Sequence, residues 1–233
     1  MLFHILDDDN AMEGNGTGMD FKFELIYDYL PLILRGTLLT IGFSLGGILL
    51  GSILGLGIAF GKMSRFGWLR WPADIYINVF RGTPLLVQIL IVHFGIVPLI
   101  MGSTNVYFAA VLALTLNSAA YTAEIFRTGI QSIDPGQVEA AHSLGLTHAQ
   151  TMRRIVLPQA IKRMVPAFGN EFIVLIKDSS LVYIIAAPEL MYWMNTMKGQ
   201  YQRIWEPYLT AAAIYFILTY SLNKLLQYME RKM

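Results

Sequence analysis

Residues 134–158 read DPGQVEAAHSLGLTHAQTMRRIVLP. Asp134 suits an N-cap, Pro135 the first helical position, and Gln137 stands at capping-box spacing from Asp134. Gly145 offers a left-handed stop, so a first helix is predicted from Pro135 to Leu144. Thr147 and Gln150 repeat the capping-box spacing. Pro158 disfavours helix at the residue before it, which predicts that a second helix ends near Leu157. A capped segment carrying Glu139, His142, His148, Arg153 and Arg154 is too polar for hydrocarbon and belongs in water.

Its surroundings are the opposite. Of the 233 residues, 55% are hydrophobic and only 14% charged, with mean hydropathy +0.51, which places the chain among all-α polytopic membrane proteins. A formal net charge of +1 provides no nucleic-acid footprint, and the absence of cysteine excludes disulfides, thiolate metal sites and cysteine nucleophiles. Residues 1–20 lack a signal-peptide pattern and read as a flexible polar tail ahead of one membrane domain over 21–233.

Working outward from the polar pair, five spans are predicted over residues 37–61, 84–101, 107–126, 164–187 and 207–226. A short interfacial helix is expected over 21–35, where Phe21, Phe23, Tyr27 and Tyr29 suit a membrane boundary. Segments 62–81 and 188–206 are read as loops. Gly47, Gly51 and Gly55 give the first span a small-residue face, read as a packing surface. Twelve Lys/Arg fall on one set of connecting segments and four on the other, which favours N-out, C-in and puts the helix pair in the cytoplasm.

Ionisable residues inside spans are expensive and mark candidate sites. Glu124, Glu171, Lys177 and Asp178 qualify. Asn117, Tyr121 and Glu124 share a helical face with Ser118 beside them, and Glu171 and Asp178 share another. Such acids suit a ligand with an ammonium or guanidinium group, with Lys177 or a helix end available for its carboxylate. Glu124 is read as a partner of Arg127, Gln88 as a bridge between helices, and Glu171 stays open between structural and ligand roles. His93 lacks a second ligand at helical spacing, so no metal site is expected. With no phosphate loop and no HExxH, the chain is not expected to be an enzyme.

Glu139-Ala140-Ala141, Gly145, Ile155, Leu157 and Pro158 resemble the EAA signature of ATP-binding-cassette importer permeases. RGTPLLVQ at 81–88, NSAAYTAEIFR at 117–127, GNEF at 169–172 and KDSSL at 177–181 are similar to the polar amino-acid branch, although Ser179 stands where that branch often has threonine. The resemblance implies a type I importer fold in a bacterial cytoplasmic membrane and a coupling-helix pair that docks on an ATPase. It also implies two ATPase subunits binding ATP and Mg, a second permease copy or homologue, an extracytoplasmic solute-binding protein, and no cofactor in this chain itself. By the same resemblance Glu171 looks substrate-facing, with Asn117, Ser118, Tyr121, Lys177 and Asp178 around it. An ion-coupled secondary carrier using the interior acids, or a scaffold for a soluble partner, are the alternatives.

Overall fold

The computed structural model describes residues 21–232, so the predicted polar tail over 1–20 lies outside the described residues. Helix α1 spans Phe23–Met63, α2 Gly67–Gly82, α3 Leu85–Met101, α4 Val106–Gln131 and α5 Pro135–Ser143. Helix α6 occupies 148–178, the short 3-10 turn Ser179–Ile185 follows it, and α7 (Leu190–Tyr201) and α8 (Trp205–Glu230) complete the described chain. Among the described residues there is no strand.

Helix α4 is the hub, because the glycine face of α1 lies directly on it. A Cβ at Gly47 would stand 2.9 Å from Leu114 Cβ and 2.9 Å from Leu175 Cδ2, and one at Gly51 2.9 Å from Ser118 Cβ. At Gly55 it would collide with Thr122 and the Ala119 carbonyl. Lipid tails are as apolar as leucine, so apolar burial alone does not drive helices together in a membrane; close backbone approach does, through dispersion contacts. Thr122 Oγ1 donates to Gly51 O across that interface (3.0 Å). The main apolar cluster then joins α1, α3, α4, α6 and the 3-10 turn through Phe43, Ile89, Leu114, Leu175 and Val182.

Several predicted boundaries are corrected. The segment over 21–35 is not a separate interfacial helix: α1 runs unbroken past Pro31, where Tyr29 and Ile33 pack on Leu190, Met194 and Ala211. That packing outweighs the roughly 3 kcal/mol that an interior proline costs. The two expected loops contain α2 and α7. The predicted fourth span, 164–187, belongs to the longer α6, which ends as a helix at Asp178 and tightens into the 3-10 turn before left-handed Ala186.

The second capped helix does not stop near Leu157. The backbone stays helical from His148 to Asp178 by opening one π turn, Met152–Val156, in which Leu157 N–H reaches back to Met152 O. Pro158 has no N–H and its ring would clash with the carbonyl four residues back, and the wider turn removes both conflicts. Helix α3 uses the same device at Val92–Ile96, where Val97 N–H bonds Val92 O just before Pro98.

Among the described residues three helices, α1, α4 and α8, are each long and apolar enough to cross a membrane, and α2 with α3 passes as a pair bent by 110°. Only 11% of the apolar window of α8 is buried, so most of that helix faces outward.

Gly51→Leu is predicted to wedge α1 from α4, at a cost of about 1–3 kcal/mol or more. Its thermal midpoint in detergent should fall by several degrees, whereas Gly57→Ala, which meets nothing within 4 Å, should match the native protein.

Candidate functional site

Two sites emerge, one exposed and one interior. The exposed site is the helix pair. Asp134 Oδ1 accepts from Gly136 N (2.8 Å), but the predicted capping box does not close, because Gln137 Oε1 accepts from Gln159 Nε2 instead (2.6 Å). The second box is complete: Gln150 N donates to Thr147 Oγ1 (3.3 Å) and Thr147 N to Gln150 Oε1 (2.9 Å). Between the helices Gly145 adopts φ +80°, Gly145 N donates to His142 O (2.9 Å) and Leu146 N to Ala141 O (3.1 Å). This is a Schellman stop, and it requires the left-handed position that glycine fills without strain.

The signature residues divide by face. Glu139, Ala140 and Pro158 are exposed, Ala141 is buried, and Ile155 and Leu157 are half-buried. Leu144, at the tip, is 83% exposed, an apolar residue presented to water. The base of the pair is held by a small core of Ile133, Val156, Ala160 and Met164, and by Arg163 donating to Ser132 O. The element is therefore mounted on α4 and α6, while its outer residues Glu139, Ala140 and Leu144 are exposed among the described residues.

The interior site lies where α4 faces α6 and the corner between α2 and α3. Glu171 is 9% exposed, beside the Ser118 hydroxyl and within electrostatic reach of Asp178 and Arg81. Ser118 Oγ is buried and closes no hydrogen bond of ordinary geometry. Arg81 places its guanidinium carbon 5.3 Å from the centroid of the Tyr121 ring. Lys177 points outward and is exposed, while Asp178 is half-buried, as their adjacent helical positions require.

The polar stripe on α4 does not act as one surface. Asn117 Nδ2 donates to Gln88 Oε1 (2.9 Å), and Gln88 Nε2 in turn donates to Phe80 O (2.8 Å) and to Thr83 O and Oγ1. Gln88 is thus the expected bridge, and it fixes the corner that carries Arg81 against α4. Glu124 is withdrawn from the interior site: its carboxylate meets Arg127 Nη2 and Lys62 Nζ, each at 2.7 Å, and Lys62 also reaches Asp74 (3.1 Å). Of the three acids, Glu171 and Asp178 make no ion pair among the described residues.

Arg81 is the residue that sequence reasoning missed, having been counted only as a positive charge on a loop. The signal available was its position at the head of the RGTPLLVQ block. Glu189 was also passed over. It is fully buried and accepts from Met191 N and Tyr192 N (both 2.8 Å), Tyr215 OH (2.9 Å) and Thr40 Oγ1 (3.3 Å). It caps α7 and ties that helix to α1 and α8. The run Gly42–Gly46 matches a hydrolase GxSxG pattern by letters, but Ser44 lies mid-helix, donating to Thr40 O and Leu175 O. A nucleophile elbow needs a strand-to-helix turn, so Ser44 is a packing residue. Among the described residues no group of three or more His, Cys, Asp and Glu could hold a metal ion.

The family model for binding-protein-dependent transport system inner membrane components matches residues 47–233. The arginine transport system permease protein ArtQ of Bacillus subtilis (strain 168) is 39% identical over 215 residues, covering 92% of this chain and 98% of ArtQ. The octopine transport system permease protein OccM of Rhizobium radiobacter is 37% identical over 220 residues, covering 91% of this chain and 90% of OccM. A crystal structure of an amino acid ABC transporter with histidines superposes at TM-score 0.87 with 43% identity, covering 92% of this chain and 100% of that one.

Asn117→Leu leaves the buried Gln88 Oε1 without its donor, which costs about 1–3 kcal/mol. A drop of several degrees in the thermal midpoint is expected for it. Glu171→Gln should not lower the midpoint, because the native carboxylate makes no ion pair among the described residues that the amide would lose. Differential scanning fluorimetry of the two variants separates the bridging residue from the site residue.

Proposed function

The chain belongs to the family of binding-protein-dependent transport system inner membrane components, and from that membership we propose how it works. It is the permease subunit of an ATP-driven importer of polar amino acids, with basic or glutamine-like molecules as its cargo. Its partners are two ATPase subunits, which bind ATP and Mg and carry out hydrolysis, a second permease of the same or homologous sequence, and an extracytoplasmic solute-binding protein. The membrane is the bacterial cytoplasmic membrane, crossed five times by α1, α3, α4, α6 and α8, with the N-terminus outside and the C-terminus inside.

The observation that carries this mechanism is the continuity of α6. The second helix of the exposed pair and the helix bearing Glu171 and Asp178 are one rod, and from Thr151 to Glu171 is roughly 30 Å at 1.5 Å per residue. Helix α4, bearing Ser118 and Tyr121, leads through three residues into Pro135 at the head of the other coupling helix. An ATPase that moves Glu139, Ala140 and Ala141 together with Gly145, Ile155, Leu157 and Pro158 therefore tilts both walls of the interior site. A cavity of about 420 Å³ beside Glu139, lined by Ile133, Val138 and Met152, gives a partner side chain a place to insert.

In the interior, Glu171 and Asp178 receive the cationic end of the cargo, while Arg81 on Tyr121 and the exposed Lys177 favour its carboxylate. Ser118 lends a hydroxyl, and Asn117 holds the Arg81 corner through Gln88. The ion-coupled carrier loses support because Glu124, one of its three acids, is already neutralised by Lys62 and Arg127.

Two experiments test this. In proteoliposomes with the ATPase and binding protein, Glu171→Gln should cut arginine uptake by about tenfold, the equivalent of 1.4 kcal/mol, and glutamine uptake far less. Equal loss for both cargoes would make Glu171 structural. Gly145→Val places a branched side chain at φ +80°, so co-purification of the ATPase should fall to background while the permease itself remains folded. Full recovery of the complex would remove the turn from the docking mechanism.

A further inference from the structure

Two of the four histidines meet at the tip of the exposed helix pair. His142 lies in the last turn of α5 and His148 opens α6, and their ring centroids stand 6.2 Å apart across the Gly145 turn. Both are exposed, and neither ring makes an ion pair or a side-chain hydrogen bond among the described residues. The backbone between them is held at both ends, by the Schellman bonds of Gly145 and Leu146 and by the capping box of Thr147 and Gln150. The spacing of the rings is therefore set by the turn.

That spacing suits shared coordination. An imidazole nitrogen lies roughly 2.0–2.1 Å from a zinc ion, which puts two ligating ring centroids about 5 Å apart in a tetrahedral site and about 6 Å apart at wider bond angles. Rotation of an exposed ring about its own side-chain bonds closes the difference without moving the backbone. A carboxylate is available on the same helix. Glu139 stands three residues before His142, on the same face of α5, exposed and in no ion pair among the described residues. Glu-x-x-His is the spacing by which a single helix turns a carboxylate and an imidazole toward one metal ion. As the side chains stand, no three ligating groups converge among the described residues, so the imidazole pair is the preformed part and Glu139 joins by rotation.

We propose that His142, His148 and Glu139 form a binding site for a first-row divalent cation that takes imidazole nitrogen, zinc being the type, with water completing its shell. Nitrogen ligands select this class over magnesium and calcium, which prefer oxygen. The ion staples the end of α5 to the start of α6. The site rests on this chain alone, whatever cargo the protein moves. Glu139 is also a docking residue, so a bound ion withdraws it from the ATPase; that consequence rests on the docking reading.

Full-length permease carrying no histidine tag is titrated in detergent with zinc chloride, with binding read by calorimetry and by the thermal midpoint. One ion per permease is expected, with a midpoint that climbs with zinc, because a ligand that favours the folded state stabilises it. Magnesium should leave the midpoint where it was. His142→Ala and His148→Ala should each weaken zinc binding about tenfold or more, since losing a ligand costs at least as much as losing an outer-shell partner. Glu139→Gln should weaken it as well. Absence of binding, binding that survives His142→Ala/His148→Ala, or an equal response to magnesium would overturn the site. Recovery of the ATPase, compared with and without zinc for each protein, should fall for the native permease and hold for His142→Ala/His148→Ala. Undiminished native recovery at saturating zinc would overturn the withdrawal of Glu139. Failure to recover the ATPase even without zinc counts against the docking reading, and the calorimetry then decides the site by itself.

Discussion

The contact between the glycine face of α1 and the body of α4 is the constraint on which the rest depends. Inside a bilayer there is no water to expel from between helices, so packing is decided by how closely the backbones can come. Gly47, Gly51 and Gly55 remove the side chains that would hold α1 away from Leu114, Ser118 and Thr122. With α1 seated on α4, α6 and the corner carrying Arg81 pack alongside the same helix. Ser44 extends the same arrangement by bonding Leu175 O on α6. Loosening the glycine seam would therefore move the wall that Ser118 and Tyr121 belong to, without any change in those residues.

A second constraint is backbone continuity. Prolines usually end helices, and both Pro98 and Pro158 lie where a boundary is the first expectation. In each case one π turn immediately upstream shifts the hydrogen-bond ladder by a residue and lets the helix proceed. For α6 the consequence is mechanical: an exposed element, the buried Glu171 and the half-buried Asp178 share one continuous helix. The Schellman turn at Gly145 and the capping box at Thr147 and Gln150 complement this by making the surface end stiff.

The interior charges sort by the same geometry. Glu124 lies at the level where Lys62, Arg127 and Asp74 converge, and it becomes part of a network joining α1, α2 and α4. Glu171 and Asp178, on a different helix, keep carboxylates that no base among the described residues pairs directly. Leaving such groups unpaired is costly in a low-dielectric interior. Glu189 shows the contrast: equally buried, it is saturated by four donors and acts as a structural cap.

Much of this was legible in the chain. Periodicity, hydropathy and charge asymmetry define the apolar helices, because those signals are local and repeat every few residues. Gly145, Thr147 and Gln150 declare their turn and cap for the same reason. The bridging of Gln88, the pairing of Glu124 with Arg127 and the packing of Gly47, Gly51 and Gly55 were likewise readable, since each follows from residue type and spacing. What only the tertiary structure decided involves partners distant in sequence. That Gln137 leaves its cap for Gln159, that Asn117 is spent on Gln88, that Lys62 joins Glu124, and that Arg81 comes within electrostatic reach of Glu171 are outcomes of helices crossing in space. Helix passage through Pro31 and Pro158 belongs to the same class. A proline's local cost is fixed by its ring, but whether the helix breaks depends on packing and on the freedom to widen one turn, and neither is written in the neighbouring residues.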